Sequence, residues 1–328
     1  MHATGLGDRA ALLSATRQGA ALRERLQTLS AELGSGRVQD PARLGPRQSL
    51  AMDLDRRAAL SESWRATAAE TGARLAATSE ALARVEGSRR SLMAQALAAT
   101  APGSPAERAL AAEAGRAAFE DVARSLDVTW GGASLFAGTA TDAPALSPTL
   151  WPEVEAAVGA PATAAGAMAA LDAYFDAPGG GFAAGGYRGA PAVLTRSLGD
   201  GPPLALPARA DDPALRATLK AAAAAALSAR LPPAEGAQLL ERARDGLAAA
   251  AEPLAGLGAA VGAAEARAEA AATRHAAQGS ALALRRDELL AVDPFETATL
   301  LQQVQTQLET HYAVTARLAP LSLAAWLR

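Results

Sequence analysis

Apolar side chains near the end of the chain recur at Leu301, Val304, Leu308, Tyr312 and Leu318, with the half-apolar Thr315 among them. Steps of three and four lay one stripe along an α-helix. Leu22, Leu26, Leu29 and Leu33 repeat the pattern near the start, so both ends predict helices with one face to cover. Two longer stretches lie between. Gln48 to Thr100 spaces Leu50, Leu54, Leu75, Leu82, Val85 and Leu92 among Ala, Glu and Arg, and Pro233 to Leu290 is equally rich in Ala. A continuous helix over the first would reach roughly 80 Å at about 1.5 Å per residue. That exceeds an ordinary globular helix and predicts a bundle or coiled coil.

Breakers divide these stretches. "GSGRVQDPARLGP" ends the first helix, and "TAPGSP" at 100–105 ends the second. Ser104, Pro105 and Glu107 then form a capping-box pattern for a helix to about Trp130. Asp212 with Pro213, and Asp293 with Pro294, are two further cap-and-first-turn pairs. "GGASLFAGTATDAPALSP" reads as a loop, and the Gly-rich stretch at 179–189 as a flexible one. The runs "PAVLTRSL" and "PLALPARA" flank "GDGP" and predict a hairpin, with Pro203 and Pro207 confining its second strand to an edge.

The expected fold is mainly α: a long antiparallel helical bundle or coiled-coil rod with both termini at one end, plus a small mixed α/β insert. Residues 1–40 and 293–328 would form a terminal coiled-coil assembly domain. Residues 41–142 and 232–292 would form a helical rod domain, and 143–231 a small variable insert domain.

Composition sharpens this. Hydrophobic residues are 50% of the 328, but aromatics only 4%, and Ala runs unbroken from Ala221 to Ala226. A core of Ala and Leu suits helices whose backbones approach closely. There is no Asn, no Ile and a lone lysine, Lys220, against many arginines, the bias of a GC-rich genome. A net charge of −3 from interspersed charges leaves no footprint for nucleic acid. The absence of cysteine excludes disulfides and thiolate metal sites and leaves the compartment open. The start lacks the basic head and apolar run of a cleavable signal. No uninterrupted run of 18 apolar residues suggests a membrane span.

Candidate chemistry is sparse. His2, His275 and His311 lack metal-ligand spacing, and Asp53 and Asp55, two apart, point to different faces of a helix. "GLGAAVG" at 256–262 imitates half a dinucleotide fingerprint, but it sits in a helical run and reads as close helix packing. Lys220 lacks a Gly-rich phosphate loop, no Ser elbow is present, and Trp64, Trp130, Trp151 and Trp326 are too scattered to stack bases. No catalytic site, cofactor or metal is expected.

Three segments carry a resemblance. "LLQQVQTQLETHYAVTARLAPLSLAAWLR" at the end, "LQTLSAELGSGRVQDPARL" near the start, with Ser35, Gly36 and Asp40, and "ASLFAGTATDAPAL" at 133–146 resemble the flagellin superfamily. The third, with "AVDPFETATLLQQVQTQLE", is most similar to the hook-associated proteins of the hook-filament junction. The resemblance covers roughly 10–142 and 232–328. Departures are a lone Asp near the start, Ala-Trp in place of a terminal Asn-Tyr, and Pro320, which is expected to end or kink the last helix.

The resemblance implies a non-enzymatic structural subunit of the bacterial flagellum that joins hook to filament. It would be extracellular and exported without a cleaved signal peptide. Implied partners are like subunits in a ring, a neighbouring hook-associated junction protein, flagellin, and the flagellar export apparatus with an export chaperone. The assembly interface would comprise Leu22, Leu26, Leu29, Leu33, Leu301, Val304, Leu308, Leu318, Leu321, Leu323 and Trp326. A divergent flagellin filament subunit is one alternative, and a secreted adhesin or binding module that uses the insert is another.

Overall fold

The computed structural model describes residues 4–39, 41–100 and 105–326. The chain is mainly helical, with two small two-stranded sheets among the described residues. Helix α1 (Thr4–Ser35) and a 3-10 segment (Pro41–Arg47) precede α2 (Gln48–Thr100) and α3 (Pro105–Leu126). Hairpin β1 (Thr129–Trp130) and β2 (Ala133–Ser134) leads to α4 (Leu150–Val158) and α5 (Ala164–Phe175). A second hairpin, β3 (Leu194–Arg196) and β4 (Leu204–Leu206), precedes α6 (Pro213–Leu227), α7 (Pro233–Ala249), α8 (Ala251–Leu290) and α9 (Pro294–Trp326). Packing divides the chain into two units, Met1–Glu62 with Ala276–Arg328, and Ser63–His275.

The larger unit is built around α6. Its N-cap Asp212 accepts from the Ala214 N–H, with Pro213 in the first turn, as the sequence leads one to expect. Ala221, Ala222, Ala223, Ala224 and Ala225 are all buried, so the helix is covered on every side, and α3, α5 and α7 pack against it. Gly115 of α3 is the closest approach. A Cβ there would lie 2.5 Å from the Ala226 nitrogen and 2.8 Å from the Ala225 Cβ. Around this centre runs one contiguous hydrophobic core, from Leu75 of α2 to Ala268 of α8, whose largest fully buried side chains include Phe119, Phe136, Phe175 and Phe182.

The segment 143–231 shares that core, since Leu171, Phe182, Leu206 and Leu215 pack in the same cluster as Leu82 and Phe119. Helix α3 ends at Leu126, short of Trp130. Gly131 and Gly132, with φ of 58° and 80°, turn the chain into β2 where a loop is expected. Two successive positive-φ residues make the tight turn of a two-residue hairpin. The stretch 179–189 is not a flexible loop: Phe182–Gly186 is a π-helical turn, and Phe182 is buried against Phe175. The hairpin around Gly199 and Asp200 forms as its sequence implies, with β4 held between Pro203 and Pro207.

The second long stretch is interrupted at Ala250, between α7 and α8. Such a break leaves carbonyls without helical partners, and Arg89 of α2 donates to the Leu247 carbonyl at 2.8 Å. Glu86 holds that guanidinium by two bonds, from Nε at 2.7 Å and Nη2 at 2.9 Å. The Arg89 bonds, outweighing burial, keep the Glu86 carboxyl below its ordinary pKa.

One 18-residue window within Pro233–Leu290 has a mean hydropathy of 1.4, long and apolar enough by composition to cross a membrane, and a third of that window is buried; Leu254, Leu257 and Val261 of α8 lie in the protein core. Gly256, Gly258 and Gly262 do not serve close helix packing. A Cβ at any of them would meet nothing within 4 Å, because the packed face is the leucine and valine face.

Two predictions follow from these contacts. Gly262→Ala, in an open helical position, raises stability by about 0.5–1 kcal/mol through helix propensity, whereas Gly115→Ala lowers it by about 1–3 kcal/mol through overpacking; urea melts measure both. A depressed Glu86 pKa stabilises the fold above the unfolded carboxyl's pKa of about 4.3 and is lost as pH falls through the folded value. The stability gap between wild type and Glu86→Gln, measured in melts from neutral pH to about pH 3, therefore closes on acidification.

Candidate assembly surface

The smaller unit is organised by α1 and α9, which pack along each other. Gly19 lies against the His311 ring, Arg23 bonds the Tyr312 hydroxyl at 2.7 Å and Arg37 bridges Asp287 at 2.5 Å, so one helix rises as the other chain segment falls. The Arg23 guanidinium also lies 5.4 Å from the Tyr312 ring centre. Gly19 is what allows this closeness, since a Cβ would stand 3.1 Å from His311 Nε2.

The chain reverses at a short crossing. Gly36, at φ 70°, ends α1 in the left-handed conformation that favours glycine, and its N–H bonds the Glu32 carbonyl at 2.8 Å. Val38 N–H then donates to the Leu290 carbonyl at 2.8 Å, Val292 N–H donates to the Gly36 carbonyl at 3.1 Å, and Arg37 bridges Ala291 antiparallel. Asp293 starts α9 by accepting from the N–H groups of Phe295 at 2.8 Å and Glu296 at 3.2 Å. Glu32, fully buried, accepts from the Gln39 N–H at 2.9 Å and pairs with Arg43, which fixes the exit from α1.

Of the residues expected in the interface, Leu29 and Val304 are buried, Leu22, Leu26, Leu301 and Leu308 are half-buried, and Leu33 is 40% exposed. Leu33 precedes the Gly36 turn, where α1 ends, so it is not part of a buried stripe. The side chains of Leu318, Leu321, Leu323 and Trp326 lie outside the described residues, as do Asp40, Ser104 and His2. The backbone of α9 continues past Pro320 to Trp326, so Pro320 does not end the helix. Good helix formers flank it, and a proline removes a single N–H from the ladder.

Buried apolar residues are few here: Leu29, Leu44, Ala51, Leu54 and Val304 among the described residues, none of them in the contiguous core. Most exposed large hydrophobics fall in this unit, among them Leu13, Met52, Leu60, Leu284, Phe295 and Val314. Phe295 is 84% exposed. The larger unit contributes Leu97, Leu110 and Val193. Sequence periodicity missed this set, because Phe295 and Leu284 belong to no stripe; their signal was a large apolar residue at an otherwise polar position.

The stretch 133–139 has a structural role in the larger unit. Leu135, Phe136 and Ala137 are buried, the Phe136 carbonyl accepts from Ala210 N–H and that of Ala137 from Ala190 N–H, both at 2.9 Å. Gly138, at φ 62°, passes so close to the Ala190 and Ala192 carbonyls that a Cβ would sit 2.4 and 2.7 Å away.

The other candidates separate. His275 packs on Gly199, with Nε2 2.7 Å from the Leu198 carbonyl. Asp53 pairs with Arg56 and Arg57, and Asp55 with Arg286. Among the described residues no three His, Asp or Glu side chains are grouped to hold a metal.

A mainly α fold with helical termini packed together and a small α/β insert is the class these elements define. Solved structures share it. One of them, a "putative flagellar hook-associated protein" from Vibrio parahaemolyticus, superposes with a TM-score of 0.52 at 14% identity, over 74% of this chain and 97% of that one. No protein-family profile matches the sequence, and no curated protein is similar to it at the sequence level.

Gly36→Ala forces a side chain into the left-handed region at a cost of about 1–2 kcal/mol. Hydrogen exchange at the Val38 and Val292 amides, which bond across the crossing, is expected to accelerate before exchange in α6 does.

Proposed function

We propose that this protein is a structural subunit of the bacterial flagellum that joins hook to filament and catalyses no reaction. The observation that carries the reading is the mismatch within the smaller unit. Long amphipathic helices expose Leu13, Met52, Leu60, Leu284, Phe295 and Val314 while burying only a handful of apolar side chains among the described residues. Such a surface is completed when neighbouring subunits cover it. The fold likeness to the Vibrio protein, which extends over nearly all of that chain, supports the same reading. So does the "LFAGT" stretch, buried from Leu135 to Gly138, which the sequence resemblance associates with junction proteins.

In this reading the subunits form a ring through α1 and α9, with a second junction protein on the hook side and flagellin on the filament side. The chain reaches the cell exterior through the flagellar export apparatus.

Gold-labelled antibody against the segment 143–231, applied to intact flagella, tests it. One cluster just beyond the hook is expected. Label along the whole filament would instead indicate a flagellin, and unlabelled flagella would indicate a binding module outside the flagellum. A second measurement addresses assembly. Phe295→Asp with Leu284→Asp, both on exposed side chains, is expected to leave the circular dichroism spectrum and melting unchanged and to abolish incorporation, since a charge buried between subunits costs several kcal/mol.

A further inference from the structure

Arg74 of α2 is 5% exposed, and among the described residues no carboxylate bonds it. Its Nη2 donates to the Ser134 carbonyl of β2 at 2.5 Å, which uses one of five N–H donors. Arg196 of β3 stands near enough to repel it, likewise without a carboxylate partner among the described residues. Burial first, and then Arg196, lower the Arg74 pKa. Arg74 and Arg196 line a cavity of about 50 Å³ together with Thr67, Glu70 and Thr71. Glu70, which is exposed, opposes one of the two positive charges and leaves the other.

A buried guanidinium with no carboxylate bonded to it is costly, and a second one next to it, with only Glu70 nearby to offset the pair, adds to the cost. Several other buried or half-buried cations in this chain are matched by carboxylates: Arg89 by Glu86, Arg209 by Asp211, and Lys220 by Asp172 and Asp176. The cavity has several times the room that one water needs, enough for a compact tetrahedral ion. Planar donor forks suit such an ion better than they suit a row of waters.

We propose that this cavity is a binding site for one small oxyanion, inorganic phosphate or sulfate, held between Arg74 and Arg196. Bound there, the ion ties hairpin strand β3 to α2, and through the Ser134 carbonyl to β2, so it fastens the insert to the helical core.

Thermal unfolding of the full chain tests it, with sodium phosphate raised to about 20 mM against sodium chloride at matched ionic strength. Wild type is expected to gain a rise in midpoint that saturates with phosphate, and calorimetric titration to give one site. Arg196→Gln, on an exposed side chain and folded by circular dichroism, is expected to weaken phosphate binding tenfold or more. Arg57→Gln, a surface control in the smaller unit, is expected to behave as wild type. Equal midpoints in phosphate and chloride, or an undiminished phosphate response in Arg196→Gln, would overturn the proposal. Arg74→Gln should abolish binding, and if that variant fails to fold, Arg196→Gln decides.

Discussion

When a helix carries alanine on all its faces, neighbouring backbones can come in to distances that larger side chains forbid, and α6 is such a helix. Ala221 to Ala225 are buried, with Gly115 of α3 and Gly246 of α7 turned toward them. The position of each surrounding helix follows from that closeness. α3 presents Phe119 to Trp151 at 5.0 Å, α5 presents Phe175 to Phe182, and α7 ends where Arg89 can reach the Leu247 carbonyl. Aromatics supply the volume at the periphery that alanine withholds at the centre.

The smaller unit obeys a different constraint. Two amphipathic helices that pair with each other can cover only the facing side of each. Polar links do part of the positioning: Arg23 on Tyr312, Arg37 on Asp287, Glu32 with Arg43 and the antiparallel crossing at Gly36. An exposed charge pair such as Arg37–Asp287 stabilises weakly, whereas the backbone bonds at the crossing set direction and register. The proposed role in an assembly rests on this division between a polar framework and uncovered apolar area.

Helix positions were legible where local chemistry decides them. α2 spans the stretch its spacing marks, and Asp212 and Asp293 cap as their Pro neighbours imply. The β3 and β4 hairpin was legible for the same reason, because Pro203 and Pro207 leave room for three residues between them. What was not legible depended on tertiary contact. The turn at 182–186 is ordered by burial of Phe182, whereas the break at Ala250 had a sequence signal in Pro253, which falls in the first turn of α8. Gly256, Gly258 and Gly262 look like packing glycines until the helix is turned by Leu254, Leu257 and Val261. The Gly131–Gly132 turn was visible in the letters and was overlooked because Trp130 looked like the end of a helix. For the assembly surface, the periodic leucines located the helices but not which side each would leave uncovered.

The alanine centre also bears on how this chain can change over generations. A single base substitution in an alanine codon yields valine, threonine, serine, proline, glycine, aspartate or glutamate. Inside α6 nearly all of these add volume, charge or a break where neighbouring backbones are already in contact. Glycine and serine fit, at some loss of helix propensity. The helix that carries the least chemistry is therefore the one with the fewest viable mutational neighbours. Drift in this protein is channelled outward, to the surfaces of α2 and α8 and to the loops of the insert.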